Sequence, residues 1–301
     1  MSPHSIQHKV ISVVISTVAV YFGFQTLDLI SGIYQMHIFF IVAWVVFAFH
    51  IFWLTFMFDL HLKSSGHLTH AKQNFSGVSA LWQAFKSRVR HLYHWHYLRH
   101  YLNYLILPVI IYWSVVILIY LNPFFELFKD GLIVVNTIVL AMIYWHMKEV
   151  FSHNMEVHKT GLKILFLGKL FAAYLMYTAL IAVGWYFGLS LSALLPATFI
   201  LTFLLIYQAL LQSKLLELHI YPAIIMMSTL ITLCWVLVFQ NWNVNYYTAG
   251  LMIIVIYNTC WGIMHRFLDR TLTWKITWEY IFMLIVLVSF ILGTHDFHGR
   301  I

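Results

Sequence analysis

The densest group of side chains that could do chemistry is the histidine-rich run 91–100, which leads into an apolar segment. His96 and His100 are four residues apart, so on a helix their imidazoles face the same way. Two imidazoles at this spacing can bind one metal ion. Alternatively, these rings and the aromatic and basic residues around them form an interfacial belt at the depth of the lipid headgroups.

A second group lies at the end of another apolar segment, where His146, Glu149 and His153 follow one another at helical spacing. If the helix continues to residue 153, the three side chains form one stripe. A carboxylate flanked by imidazoles is a suitable ligand set for iron, manganese or zinc, and helix bundles bind such metals with Glu and His three residues apart. The alternative is a helix end whose polar residues reach water, where His153 also interacts favourably with the helix dipole.

A third group forms a polar stripe on one face of the segment 257–270. Its members are Asn258, Trp261, His265 and Asp269. An amide within the membrane needs a hydrogen-bond partner, and an imidazole one turn before an aspartate can be oriented by that carboxylate. The same stripe could instead join helices, with Asp269 paired to Arg266 or Arg270.

Polar residues inside apolar segments are costly and therefore informative. His50 lies near the middle of one segment: it is either a neutral histidine bonded to a neighbouring helix, or a metal or haem ligand or a member of a proton relay. Haem is the less favoured cofactor, because it would require a second histidine at the depth of His50. Gln208 is expected to line a polar region, and Lys169 is expected to extend its ammonium group to the membrane surface.

The elements that position these residues are membrane-spanning helices. With 62% hydrophobic and only 9% charged residues, the chain is not a soluble domain. About 20 apolar residues are needed to span a bilayer, and nine segments meet this length. They are 10–31, 36–59, 101–122, 131–147, 163–187, 191–212, 221–240, 247–265 and 276–294. We therefore predict an all-α, polytopic helical bundle that forms a single integral membrane domain over residues 1–301.

The basic residues predict the orientation of this bundle. When the nine segments are threaded with the N-terminus inside, 14 of the 17 Lys and Arg residues fall on the inner side. Basic side chains are retained on the cytoplasmic side, so we predict a cytoplasmic N-terminus, an external C-terminus and a location in the plasma (inner) membrane. The cytoplasmic loop 60–100 would carry an amphipathic interfacial helix from Ser79 onward. The net charge of +7 indicates binding to anionic lipid of the inner leaflet, with no role in nucleic-acid binding. It identifies no protein partner.

The six residues Trp95 to His100 are locally similar to the W-H-x-x-R-H motif of the Brp/Blh membrane β-carotene dioxygenases, which use histidine-bound iron. That family carries the motif late in its chains, and its Pro-His-Gly and His-Phe-Gly elements are absent here, so the similarity assigns no membership. The sequence favours a histidine-ligated, metal-dependent enzyme, similar to an oxygenase or hydroxylase, that acts on an apolar lipid or isoprenoid at the cytoplasmic face. Its metal would be held in one pocket by some of His96, His100, His146, Glu149, His153 and His265. The alternatives are a non-catalytic scaffold or lipid-binding protein and a small-solute transporter.

Overall fold

The structure is a computed structural model, and it describes residues 3–33, 35–58, 95–122, 126–147, 155–212, 220–241 and 245–294. Within these ranges the chain forms long α-helices joined by short connections. The helices are α1 (Pro3–Ser31), α2 (Met36–Phe58), α3 (Trp95–Leu121), α4 (Glu126–Met147), α5 (Met155–Phe187), α6 (Leu191–Gln212), α7 (Tyr221–Asn241), α8 (Tyr246–Leu268) and α9 (Trp274–Thr294).

Each of these helices contains a stretch long and apolar enough to cross a membrane, which makes nine candidate spans in the described residues. The prediction of an all-α, multi-pass membrane bundle is therefore confirmed. The helices differ from the predicted spans at their ends, because α3 begins at Trp95 and α5 at Met155. Apolar length determines where a helix enters hydrocarbon, whereas polar and aromatic residues can continue the same helix beyond it.

Helices α3 and α5 form the centre of the bundle. The span Tyr104–Leu121 of α3 is 72% buried within the protein, whereas the span Trp274–Thr294 of α9 is 6% buried. Helix α5 packs against α3, α4, α6 and α8, while α9 packs against α8 at the periphery. Helices α1 and α2 cover α3 and α4 on one side, and α7 lies between α6 and α8 on the other.

Close helix contacts depend on small residues, as is usual in membranes, where van der Waals packing drives helix association. Gly250 of α8 faces Thr178 of α5, and a Cβ atom at Gly250 would lie 2.0 Å from Thr178 Oγ1 and 3.1 Å from Thr178 Cα. No larger residue fits there without displacing α5 from α8. Polar contacts secure the chain where α1 ends and α4 begins: Lys129 Nζ lies 3.3 Å from Asp28 Oδ1.

Candidate functional site

Contacts between the central helices show which residues lie at the same depth. A Cβ atom at Gly168 of α5 would lie 3.2 Å from Ile143 of α4 and 3.9 Å from Leu107 of α3. The rings of Phe166 of α5 and Trp261 of α8 have centroids 6.3 Å apart. These contacts define one level of the bundle, from which the positions of the histidines follow.

The histidines of α3, α4 and α8 lie beyond this level at the same end of the bundle. With a rise of about 1.5 Å per residue, His146 lies about 4.5 Å beyond Ile143, and His265 lies about 6 Å beyond Trp261. The backbone at His100 is about 10 Å beyond Leu107, and His96 is a further turn away. We call this the histidine-bearing end: α3 and α5 begin here, and α4 and α8 end here.

The most defined contact at the histidine-bearing end joins His265 to Asp269. His265 Nδ1 lies 2.9 Å from Asp269 Oδ2, and the two side chains are 39% and 36% exposed. The imidazole also lies beside the ring of Trp261, at a centroid distance of 5.9 Å. A carboxylate that accepts a hydrogen bond from Nδ1 fixes the ring and leaves the Nε2 lone pair free to bind a metal or accept a proton.

The end of α8 holds this carboxylate in place. Asp269 is the C-cap, and Arg270 has a φ of 57°, in the left-handed region. The amide of Arg270 donates to the carbonyl of Phe267, and the amide of Thr271 donates to that of Arg266. This pattern is a Schellman motif, which usually has glycine at the left-handed position. The helix therefore ends at Leu268 with Asp269 as its C-cap, which leaves the carboxylate one turn from His265.

His146 and His265 belong to helices α4 and α8, which contact α5 at Gly168 and Phe166 respectively. Within the part of the chain that the structure describes, no group of three or more His, Cys, Asp or Glu side chains could hold a metal ion. The described residues thus bring His265 and Asp269 together and leave half-buried His146 apart from them.

Several of the predicted ligands cannot be placed. Glu149 and His153 lie outside the described residues, as does most of the predicted loop 60–100, including its interfacial helix up to residue 94. His96 and His100 belong to the first turns of α3, but their side chains are outside the described part. For these four residues, metal binding stays a prediction.

A second group of polar residues lies inside the bundle, between α2, α3 and α4. His50 is 4% exposed, and its Nε2 lies 2.7 Å from the hydroxyl of Tyr144, which is fully buried. The ring of Tyr112 stacks on the imidazole at 6.2 Å, and its hydroxyl donates to the carbonyl of Ala43. The sequence allowed His50 to be a neutral histidine bonded to a neighbouring helix, or else a metal or haem ligand or a member of a proton relay. The structure shows the contact that the first interpretation requires.

Sequence reasoning missed Tyr144 and Tyr112. Tyrosines near the ends of apolar segments anchor at headgroup depth, and these two were not distinguished from the rest. The available signal for Tyr112 was its position in the middle of the predicted span 101–122, whereas Tyr144 lies three residues from the end of the span 131–147 and has no such signal. A tyrosine hydroxyl in the middle of a span needs an internal partner.

The remaining predicted polar residues have different surroundings. Gln208 of α6 is buried and 1% exposed, whereas Asn258 of α8 is exposed on the surface of the bundle. Lys169 does not extend to the surface as expected, because it is 4% exposed. Its stem lies on α5, whose span Gly161–Phe187 is 61% buried within the protein.

Comparisons of the chain with protein-family models, with curated proteins and with solved structures find no match. The six-residue similarity at Trp95 to His100 is therefore not accompanied by a match to any family.

Proposed function

We propose that this integral membrane protein is an enzyme that acts on a lipid or isoprenoid at its histidine-bearing end, with His265 as the central residue. The observation that carries the proposal is the 2.9 Å contact of His265 Nδ1 with Asp269. This pair is partly exposed and lies where a span meets the surface, so a lipid-like molecule can approach it from one leaflet. An imidazole held in this way is suited to bind a metal or to move a proton.

The proposed cofactor is a single iron, manganese or zinc ion bound by His265. Imidazole and carboxylate ligands without thiolates suit these metals. The described residues do not complete a ligand set, so further ligands would come from His96, His100, Glu149 or His153. His146 forms no ligand group with His265 and Asp269 among the described residues, so it would belong to a separate site. Haem is less favoured, since Nε2 of the internal histidine His50 already contacts Tyr144.

The proposed setting is the cytoplasmic face of the plasma membrane, with the N-terminus inside and the C-terminus outside. The support is the excess of Lys and Arg on that side, 14 of 17 residues, which also favours contact with anionic lipid. An enzyme at this face would receive an apolar substrate sideways from the inner leaflet. A lipid-binding protein without catalysis is the alternative that this arrangement also allows.

Metal analysis of the detergent-purified protein tests this proposal. We expect near-stoichiometric iron, manganese or zinc in the unaltered protein, and loss of the metal in the variant His265→Ala. Asp269→Asn should weaken metal affinity by about 10- to 100-fold, because it removes the group that orients the ligand. His37→Ala is the matched control: His37 is exposed at the opposite end of the bundle and should have no effect.

Two results would contradict the proposal. The first is the absence of stoichiometric metal from the unaltered protein, which would favour the non-catalytic alternative. The second is equal metal content in His265→Ala and the unaltered protein, which would remove His265 from the site.

A further inference from the structure

Lys169 is a basic residue enclosed by protein within a membrane span. It lies on α5, in the span Gly161–Phe187, and is 4% exposed. Among the described residues, no hydrogen bond or ion pair involves its side chain. A lysine of this kind differs from one at a helix end, where the ammonium group reaches water.

The neighbours of Lys169 on α5 show that it faces the interior. The preceding residue, Gly168, lies against α3 and α4, and Phe166 lies against Trp261 of α8. One turn further on, Ala172 and Ala173 have no exposed surface. These small side chains occupy little volume beside the lysine stem. The long side chain of Lys169 therefore lies among helices and not against acyl chains.

No carboxylate of the described residues forms an ion pair with Lys169. Asp28, Glu126 and Asp130 lie at one end of the bundle and Asp269 at the other. Glu279 is exposed on α9, which packs against α8 at the periphery. Asp28 already pairs with Lys129, and Asp269 with His265. An ammonium group removed from water without a counter-charge is strongly unfavourable. An acid group supplied from outside the chain would remove this cost.

We propose that Lys169 binds the acid group of an acidic lipid whose hydrocarbon chain lies among the apolar helices. The ligand class is a long-chain carboxylate or phosphate, because either would provide a negative charge and hydrogen-bond acceptors for the ammonium group, which none of the described side chains provides. A helical side chain leans toward the N-terminus of its helix, which for α5 is the histidine-bearing end. The acid group therefore enters from that end. This site does not include His265 and is independent of the proposed metal.

The test compares a long-chain acid with an uncharged lipid of the same length. Thermal unfolding of the purified protein in a non-ionic detergent is measured with oleic acid and with oleyl alcohol. Oleic acid at about 100 times its dissociation constant should raise the Tm by about 5 °C, and the alcohol should leave the Tm unchanged. Acetate and inorganic phosphate should have no effect, because they lack the chain.

The variant Lys169→Met removes the charge and keeps a side chain of similar length. Its Tm without ligand should be higher than that of the unaltered protein, and the response to oleic acid should disappear. Lys163→Met is the matched control, since Lys163 is exposed on the same helix; it should respond to oleic acid as the unaltered protein does.

Equal shifts with oleic acid and oleyl alcohol would overturn the proposal, and this comparison needs no variant to fold. A full Tm response to oleic acid in Lys169→Met would overturn the proposal as well. An equal Tm shift with acetate would show that the site binds a small carboxylate and not a lipid. Metal content separates this inference from the proposed enzyme: Lys169→Met should keep its metal, and His265→Ala should keep its response to oleic acid.

Discussion

The interior of the bundle and its histidine-bearing end use the same side chain in two different ways. His50 is enclosed, with its Nε2 bonded to a tyrosine and its ring stacked on Tyr112. His265 is 39% exposed, with its Nδ1 bonded to a carboxylate of its own helix. The first contact joins two helices, whereas the second joins residues one turn apart. His50 therefore contributes to the fold, whereas the proposed function assigns the chemistry to His265.

This difference follows from what surrounds each ring. Inside the bundle a polar group without a partner is costly, so each hydrogen bond there restricts how the helices can pack. At the end of the bundle, water can replace a lost partner, and a hydrogen bond mainly fixes the direction of the ring. Substitutions in the interior should therefore reduce stability, and substitutions at the histidine-bearing end should reduce function.

The largest effect is expected where the interior is most tightly packed. Gly250→Ala places a Cβ atom 2.0 Å from Thr178 Oγ1 and 3.1 Å from the Thr178 backbone, so α5 and α8 must separate. We expect the free energy of unfolding to fall by about 3 kcal/mol, measured by denaturation in mixed micelles. Gly131→Ala is the control, because nothing lies within 4 Å of that position. Equal stability of the two variants would show that α5 and α8 are not in close contact.

The next effect compares the two histidines directly. His50→Leu removes the imidazole that lies 2.7 Å from the Tyr144 hydroxyl and should lower the free energy of unfolding by about 2 kcal/mol. His265→Leu should change it by about 0.5 kcal/mol or less, because its surroundings are partly exposed. Both variants are measured in the same micelles. A greater loss from His265→Leu would reverse the assignment of structural and functional roles.

The sequence predicted the bundle well but the interior contacts poorly, and the reasons are physical. Apolar length alone determines whether a segment can span a bilayer, so nine spans could be read from the chain. The partner of His50 could not be predicted, because the rotation of each helix and the identity of its neighbouring helices decide whether Tyr144 reaches the imidazole. The same uncertainty applied to Lys169, which was expected to reach the surface and is enclosed. The pairing of His265 with Asp269 depends only on positions within one helix, and such local contacts are accessible from sequence.

A smaller effect isolates the hydrogen bond in the interior. Tyr144→Phe keeps the ring and removes the hydroxyl that lies 2.7 Å from His50 Nε2. Hydrogen bonds between membrane helices contribute about 0.6 kcal/mol on average, so we expect a loss of about 1 kcal/mol for this buried pair. Tyr186→Phe, at a position 70% exposed, should have no effect. The double variant His50→Leu with Tyr144→Phe should be less destabilised than the sum of the single variants, since no partner is left without its bond. Strict additivity would contradict the contact.

The smallest effect concerns the histidine-bearing end, where stability can be gained without loss of the proposed site. Arg270 adopts a φ of 57°, a conformation that costs a residue with a Cβ atom about 1 kcal/mol relative to glycine. Arg270→Gly should therefore raise the free energy of unfolding by about 0.5 to 1 kcal/mol. Because the Schellman motif is retained, His265 should still contact Asp269, and metal content should not change.

The control is Arg266→Gly, in the last turn of α8. It should instead lower the free energy of unfolding by about 1 kcal/mol, because glycine is unfavourable inside a helix. If both variants were destabilised alike, α8 would not end in a left-handed residue, and the carboxylate of Asp269 would have no fixed position beside the imidazole.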